Sequence, residues 1–412
     1  MTITDILCLP GWKAGEVQEA EDRTIIKASL IEVPLACPLC GSVQPPYRFG
    51  KRPIQIADLP IRMKPVTILA RRRRYQCRDC GKTFMDQLPG VHQEHEATER
   101  LVSYVQVQAL HLTQTFTGLS TSLGISEWLV RDIVASHIET LECNYAIQTP
   151  RYLGIDEIYV EDAIYCVLTD LERHAVVDLL PKRDMPTVKE WLRQYMEPTI
   201  LQAVCMDHWN PYRQSVREVL PAAKVVVDHF HVVRQVNEIV ETVRKSIRQG
   251  LSEAQRRQLK QDHRILQKRE KDLTPQQRLI VESWTGFVPV LSDLLRVKEA
   301  FYAICDASEK QEAYERYMAW EASIPPVLYE AFLPLLLTIE EWGQEIFAFW
   351  ELPVTLTNAF TERTNLSIRE ATRITFGLGY RTLRAKLLFC PSNTARLQAQ
   401  SLQFQPQPSP LP

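Results

Sequence analysis

The sequence predicts a multidomain α/β protein: a β-rich front with paired cysteines, a short helical pair, and alternating strands and helices interrupted by a long helical insertion. Three observations carry this. Two CxxC pairs flank a strand-like run near the start. Apolar residues then take helical spacing on either side of Gly124. After Pro150, apolar runs of strand length alternate with helical patterns. The 412 residues suit about two to four domains, and a composition 45% hydrophobic and 24% charged is that of an ordinary globular chain. No apolar run reaches the length of a membrane span, and Met1 to Gly11 lacks a basic stretch leading into an apolar one. The expectation is a cytoplasmic protein with no membrane partner.

Ten cysteines are present, but only Cys37-Pro-Leu-Cys40-Gly41 and Cys77-Arg-Asp-Cys80-Gly81 are paired. Cys8, Cys143, Cys166, Cys205, Cys305 and Cys390 are scattered singly, unlike the dense spacing of a disulfide-stapled fold. Each CxxC sets two thiolates on one tight turn, and the Gly after it lets the backbone curl. Four sulfur ligands match tetrahedral structural Zn²⁺; a redox CxxC is the alternative. The run Val66 to Ala70 with Tyr75 reads as the strand that brings the knuckles together, in a domain spanning 1–92. His92 and His95 lie close by, but a complete cysteine set has no need of them.

A net charge of −2 counts mildly against a nucleic-acid binder, but Lys51 to Lys82 is rich in Lys and Arg and contains Arg71, Arg72, Arg73 and Arg74 in succession. On a strand alternate arginines face opposite sides, so one pair can reach DNA phosphates. The plainer reading is an edge strand kept soluble by charge.

Residues 93–148 read as a helix-turn-helix domain. Glu94 to Leu112 has apolar Leu101, Val105 and Leu112 at helical spacing, and a short helix ends near Leu123. Gly124 takes a left-handed turn, and Ser126 caps a second helix carrying Leu129, Val130, Ile133 and Val134. Trp128 and Arg131 fall on its exposed, DNA-reading face. An ordinary helical hairpin is the alternative.

From 149 to 236 the order is strand Tyr152 to Val160, strands Ile164 to Thr169 and Ala175 to Leu180, helix Pro186 to Tyr195, strand Gln202 to Met206, helix Asn210 to Val219, strand Lys224 to Val227. That is the order of an RNase H-like catalytic domain. Asp156 lies within its first strand and Asp207 ends its fourth, where neighbouring strands bring two carboxylates together. Oxygen-rich sites of this kind hold Mg²⁺ or Mn²⁺ for phosphoryl transfer. Glu157 points to the opposite face.

Residues 237–352 read as an α-helical insertion, with capping boxes at Ser252 to Gln255 and Thr274 to Gln277. The catalytic domain then finishes in a helical part, 353–396, where Glu362, Asn365 and Arg369 fall on one helix face: a metal-binding carboxylate beside an amide and a guanidinium for DNA. Glu370 reads as a solvated charge. The Gln- and Pro-rich tail, 397–412, reads as disordered.

Taken together, Cys37-Pro-Leu-Cys40-Gly41, Ile56-Ala-Asp-Leu-Pro60, the arginines leading into Cys77-Arg-Asp-Cys80, Gly154-Ile-Asp156-Glu157, Met206-Asp207-His-Trp-Asn-Pro-Tyr212, Val227-Asp228-His-Phe-His231 and Thr361-Glu362-Arg-Thr-Asn365 resemble the ISL-three family of bacterial insertion-sequence transposases over nearly the whole chain. The resemblance implies a DDE transposase with catalytic Asp156, Asp207 and Glu362, binding double-stranded DNA at terminal inverted repeats and at a target, as a homodimer on DNA in the bacterial cytoplasm and nucleoid. Asp228, His229 and His231 either support that site, contact DNA, or pack behind the fifth strand. The competing readings are a stand-alone RNase H-like nuclease and a zinc-dependent DNA-binding regulator with an inactive catalytic fold.

Overall fold

The computed structural model describes residues 7–401. The chain divides into two compact units, one built from the chain up to Ala146 together with Ile368–Gln398, the other from Ile147–Ser367.

In the first unit, strands β1 (Trp12–Glu19), β2 (Thr24–Leu30), β3 (Tyr47–Ile61), β4 (Lys64–Gln76) and β5 (Thr83–Met85) form one sheet in the order β1-β2-β4-β3, with β5 on β4. Only β2 and β4 run parallel. Period-two alternation decides which face is covered: Ile26, Ile56, Val66, Ile68 and Ala70 are buried with Leu7, Leu9, Trp12 and Val91. Burying such a side chain contributes roughly 1.5–3 kcal/mol. The long β3–β4 hairpin turns at Arg62 and Met63, whose φ angles of 50° and 64° are those of a tight two-residue turn.

Helices α1 (Glu99–Ala109), α2 (Phe116–Leu123) and α3 (Glu127–Asn144) follow. The first starts later than the apolar pattern from Glu94 suggests. Residues before Thr98 are held extended against β3, where Ala57 N donates to Glu96 O and Thr98 N donates to Ala57 O, both at 2.9 Å. Thr98 then caps the helix, and its hydroxyl donates to buried Asp58 at 2.7 Å. Gly124 ends α2 with φ 63°, and a Cβ there would come 2.3 Å from a Pro65 side-chain carbon, so both conformation and space call for glycine. Ser126 caps α3 by accepting from Leu129 N. Helix Tyr380–Phe389 and helix Pro391–Ser401 as far as Gln398 return to this unit. Within it Arg381 pairs with Glu142, and buried Lys386 donates to the carbonyls of His111 and Gln114 at 2.8 Å each.

The second unit centres on β6 (Tyr152–Val160), β7 (Ala163–Asp170), β8 (Ala175–Leu180), β9 (Ala203–Met206) and β10 (Lys224–Val227), with α4 (Met185–Tyr195) after β8, α5 (Asn210–Val219) between β9 and β10, and α6 (His229–Ile247) after β10. The order is β10-β9-β6-β7-β8, with β6, β7 and β8 antiparallel and β9 and β10 parallel to β6. The parallel strands are covered on both faces, which is why Ala203–Met206 is apolar throughout. Leu153, Ile155, Val204 and Met206 pack on α4 and α5 through Val188, Trp191, Leu192, Tyr212 and Val216. Tyr152, Ala203, Cys205 and Val226 pack with Ala348 and Leu356 on the other face.

Helices α7 (Glu253–Gln261), α8 (His263–Gln267), α9 (Pro275–Phe287), α10 (Pro289–Cys305), α11 (Lys310–Ala322) and α12 (Pro326–Phe347) form a helical block with its own core, including Trp284, Phe301, Trp320, Phe332 and Trp342. Val236, Val240 and Val243 of α6 belong to that core. The boundary expected after residue 236 therefore falls inside a continuous helix. Both capping boxes are present, at Ser252 and Thr274.

Helix α13 (Ala359–Thr375) comes last in this region. The segment expected as one catalytic part, 353–396, is divided: residues through Ser367 count with the second unit and those from Ile368 with the first. Of the expected disordered tail, residues through Ser401 are helical because the helix begun at Pro391 continues without a breaker, and residues 402–412 lie outside the described chain. Among the described residues no helix is long and apolar enough to cross a membrane.

Candidate active site and cysteine centre

Asp156 sits in β6 and is 7% exposed. The chain reaches it past Gly154, where a Cβ would come 2.5 Å from both Thr169 Oγ1 and Thr361 Oγ1. These hydroxyls bond each other at 2.6 Å, and Asn358 Nδ2 donates to Ile155 O at 3.2 Å. Glycine at 154 thus lets α13 come close enough for Asn365 Nδ2 to donate to Asp156 Oδ2 at 2.7 Å. Asp228, after β10, caps α6 and accepts from Asn358 N at 2.7 Å, pinning the approach to α13 a second time.

Asp207 follows β9 and Glu362 lies in the first turn of α13. Between them is buried His231, its Nε2 at 2.7 Å from Asp207 Oδ1 and 3.4 Å from Glu362 Oε1. Asp207 Oδ1 and His231 Nε2 lack an aligned hydrogen-bond partner, and Asn365 Oδ1 is likewise buried without one. Burial, and then the charge of Asp207, push the Asp156 carboxyl up to about 7. Burial also raises Glu362. His231 is pulled down by burial, but the nearness and charge of Asp207 outweigh that and its pKa rises. The unpartnered oxygens of Asp207 and Asn365, beside carboxyls that burial raises at Asp156 and Glu362, fit a divalent cation, which would favour the ionised carboxylates.

The cysteines form a second centre. Cys37 Sγ and Cys80 Sγ are 3.9 Å apart, Cys40 Sγ and Cys77 Sγ 3.6 Å, and all four sulfurs lie within 4.8 Å of one another. Sulfurs about 2.3 Å from one tetrahedral Zn²⁺ stand about 3.8 Å from each other, so the spacing fits. Gly41 and Gly81, at φ 74° and 67°, give each knuckle its left-handed turn. Among the described residues this is the only group of three or more such side chains drawn that tightly. The three carboxylates are brought into one neighbourhood but not closed to that span.

A family model described as a transposase, of the ISL3 type, matches residues 153–387. The chain belongs to the ISL3 family of transposases. A second model, described as the zinc finger of the transposases IS204, IS1001, IS1096 and IS1165, matches residues 34–80. It supports structural Zn²⁺ at the four cysteines. A comparison with the curated proteins gives no match.

In this ISL3 transposase the residues expected to touch DNA have unequal surroundings. Arg71 is exposed. Arg73, instead of reaching outward, is largely covered and pairs with buried Asp86 at 2.8 Å. Arg72 donates to Asp86 O at 2.9 Å. Arg74 lies 5.3 Å from the Phe49 ring and donates to Thr83 Oγ1. Trp128 is 71% exposed, and Arg131 pairs with Glu127 and lies over Phe116. Asn365, expected as a DNA contact, is 4% exposed and serves Asp156 instead; Arg369, one turn on, is exposed.

Two roles do not follow from the sequence. The motif ending in His231 was visible, but nothing local reveals that one ring meets carboxylates from β9 and α13. The Asp228–Asn358 bond has no local signal, because Asp228 directly before a helix signals only its cap.

Proposed function

We propose that this ISL3-family protein is a DDE transposase that recognises the terminal inverted repeats of an insertion sequence and cuts and joins DNA at Asp156, Asp207 and Glu362. The sheet order β10-β9-β6-β7-β8, interrupted before α13 by the helical block, supports an RNase H-like catalytic body with an α-helical insertion. The α2–Gly124–α3 turn, with exposed Trp128 at the start of α3, supports a helix-turn-helix reader of double-stranded DNA.

The carrying observation is the pair of links to α13: Asn365 to Asp156, and His231 between Asp207 and Glu362. They support a site in which carboxylates from two neighbouring strands and one distant helix act together. Asp156, Asp207 and Glu362 would hold Mg²⁺ or Mn²⁺, which in such sites activates the attacking oxygen and stabilises the leaving one. Asn365 would orient Asp156, and His231 would keep Asp207 and Glu362 facing each other. Synapsis of two ends favours a homodimer on DNA, working at the bacterial nucleoid.

The test is strand cleavage on DNA carrying the element's ends. Cutting that needs Mg²⁺ or Mn²⁺ and the terminal repeats is the expected result. Equal cutting of unrelated DNA would mean a general nuclease, and end binding with no cutting would mean a regulator.

A further inference from the structure

Next to the carboxylates lies a cluster that the cutting chemistry leaves unused. Glu157 and Tyr159 are two apart on β6, so both project from the face opposite Asp156. Arg183, between β8 and α4, lies against them. Its Nη1 is 2.8 Å from Glu157 Oε1, and its guanidinium carbon is 4.5 Å from the Trp209 ring centre and 5.9 Å from that of Tyr159. Trp209 is tied to Asp207, its backbone N donating to Asp207 O at 2.7 Å. The cluster is therefore attached to both strand aspartates, to one as a chain neighbour and to the other through this turn.

An ion pair that only neutralised Glu157 would not require two aromatic rings, nor would it leave Tyr159 55% exposed. A guanidinium has five N–H donors in a fixed plane, so Arg183 keeps donors for a second anion while its faces rest on aromatic carbon. An exposed aromatic ring beside a fixed cation is what proteins offer an unpaired base and its phosphate. The neighbouring acidic centre repels phosphate, and a cation held at its edge offsets that repulsion.

We propose that Tyr159, Arg183 and Trp209 form a binding subsite for the nucleotide next to the phosphate being cut, Tyr159 stacking on its unpaired base and Arg183 taking its phosphate. This rests on reading Asp156 and Asp207 as the cutting centre.

The test uses the full-length protein in Ca²⁺ and a duplex with a short single-stranded flank bearing one 2-aminopurine, with cutting assayed separately in Mg²⁺. Wild type should quench the 2-aminopurine on binding. Tyr159→Ala, a surface change that leaves the core intact, should lose the quench and bind the flank about tenfold more weakly, while Tyr159→Phe should keep both. Arg183→Ala, checked for unchanged melting, should lower the salt dependence of flank binding by about one phosphate contact, and Arg183→Lys should restore it in part. No quench with wild type, or equal quench with Tyr159→Ala, overturns the subsite whatever the cutting result. A quench lost in Tyr159→Ala, from a wild type that does not cut in Mg²⁺, upholds the subsite and overturns the transposase chemistry instead.

Discussion

His231 Nε2 stands 2.7 Å from Asp207 Oδ1 and 3.4 Å from Glu362 Oε1, so a single ring on α6 joins the end of β9 to the start of α13. Removing it leaves the carboxylates in the chain but frees their orientation. His231→Ala should therefore cut about 10–100-fold more slowly at saturating Mg²⁺ while binding repeat DNA normally, the usual cost of losing a partner that orients a metal-binding carboxylate. A cleavage rate equal to wild type would show that the ring only packs.

Asp156 carries a pH signature. Its carboxyl is pushed up to about 7 from an ordinary 3.8, first by burial and then by Asp207. The folded state therefore holds its proton after the unfolded chain has released it. Stability is fully present below the unfolded value and is lost as pH rises through the folded one. Without added divalent cation, Asp156→Asn should escape this loss and gain about 2–3 kcal/mol on wild type between about pH 5 and pH 8. Melting curves at the two pH values measure it. Mg²⁺ should then raise the wild-type Tm at pH 8 and leave the variant's unmoved.

Glu362 and Glu370 share α13 but not their surroundings. Glu362 is half-buried beside His231, whereas Glu370 is exposed. Glu362→Ala should abolish cutting yet retain end binding, and Glu370→Ala should cut within about twofold of wild type. Active Glu362→Ala protein would remove that residue from the site.

Arg71 and Arg73 should separate binding from stability. Arg71→Ala removes an exposed cation, so it should weaken binding to every DNA sequence alike and flatten its salt dependence by about one contact, with no change in melting. Arg73→Ala strands the buried carboxylate of Asp86, which should cost about 3–5 kcal/mol of stability. Equal melting of the two variants would refute the distinction.

The cysteines should hold about one Zn²⁺ per chain, measured by metal analysis, and Cys77→Ser/Cys80→Ser should lose it. Undiminished zinc in that variant would disprove the site.

The strands from β6 to β10 were legible because each is a short apolar run ended by an Asp, a Pro or a polar turn, and strand patterning is local. The Gly124 turn and the caps at Ser126, Ser252 and Thr274 were legible for the same reason. What joins distant segments was not. Asn365 carries the same i+3 spacing from Glu362 whether it faces DNA or Asp156, and only the close approach allowed by Gly154 decides. Arg73 looks like its neighbours until β4 is paired, when Asp86 proves to be its partner. Helix α1 starts later than its periodicity because β3 captures residues 96–98, a contact no helical periodicity contains.

Strand pairing sets Lys51 opposite Arg73 and Arg52 opposite Arg72, an arrangement that costs stability across a ladder. Strand β3 is also an edge of the front sheet; residues 96–98 cover it at Ala57, but its stretch from Tyr47 to Ile56 is left as a template for a foreign strand. Lys51 and Arg52 make that edge repel its own kind, and Pro53 removes a donor from it. A variant of the front unit stripped of these cations to test DNA affinity would thus also lose its guard against aggregation, and falling solubility would mimic falling function.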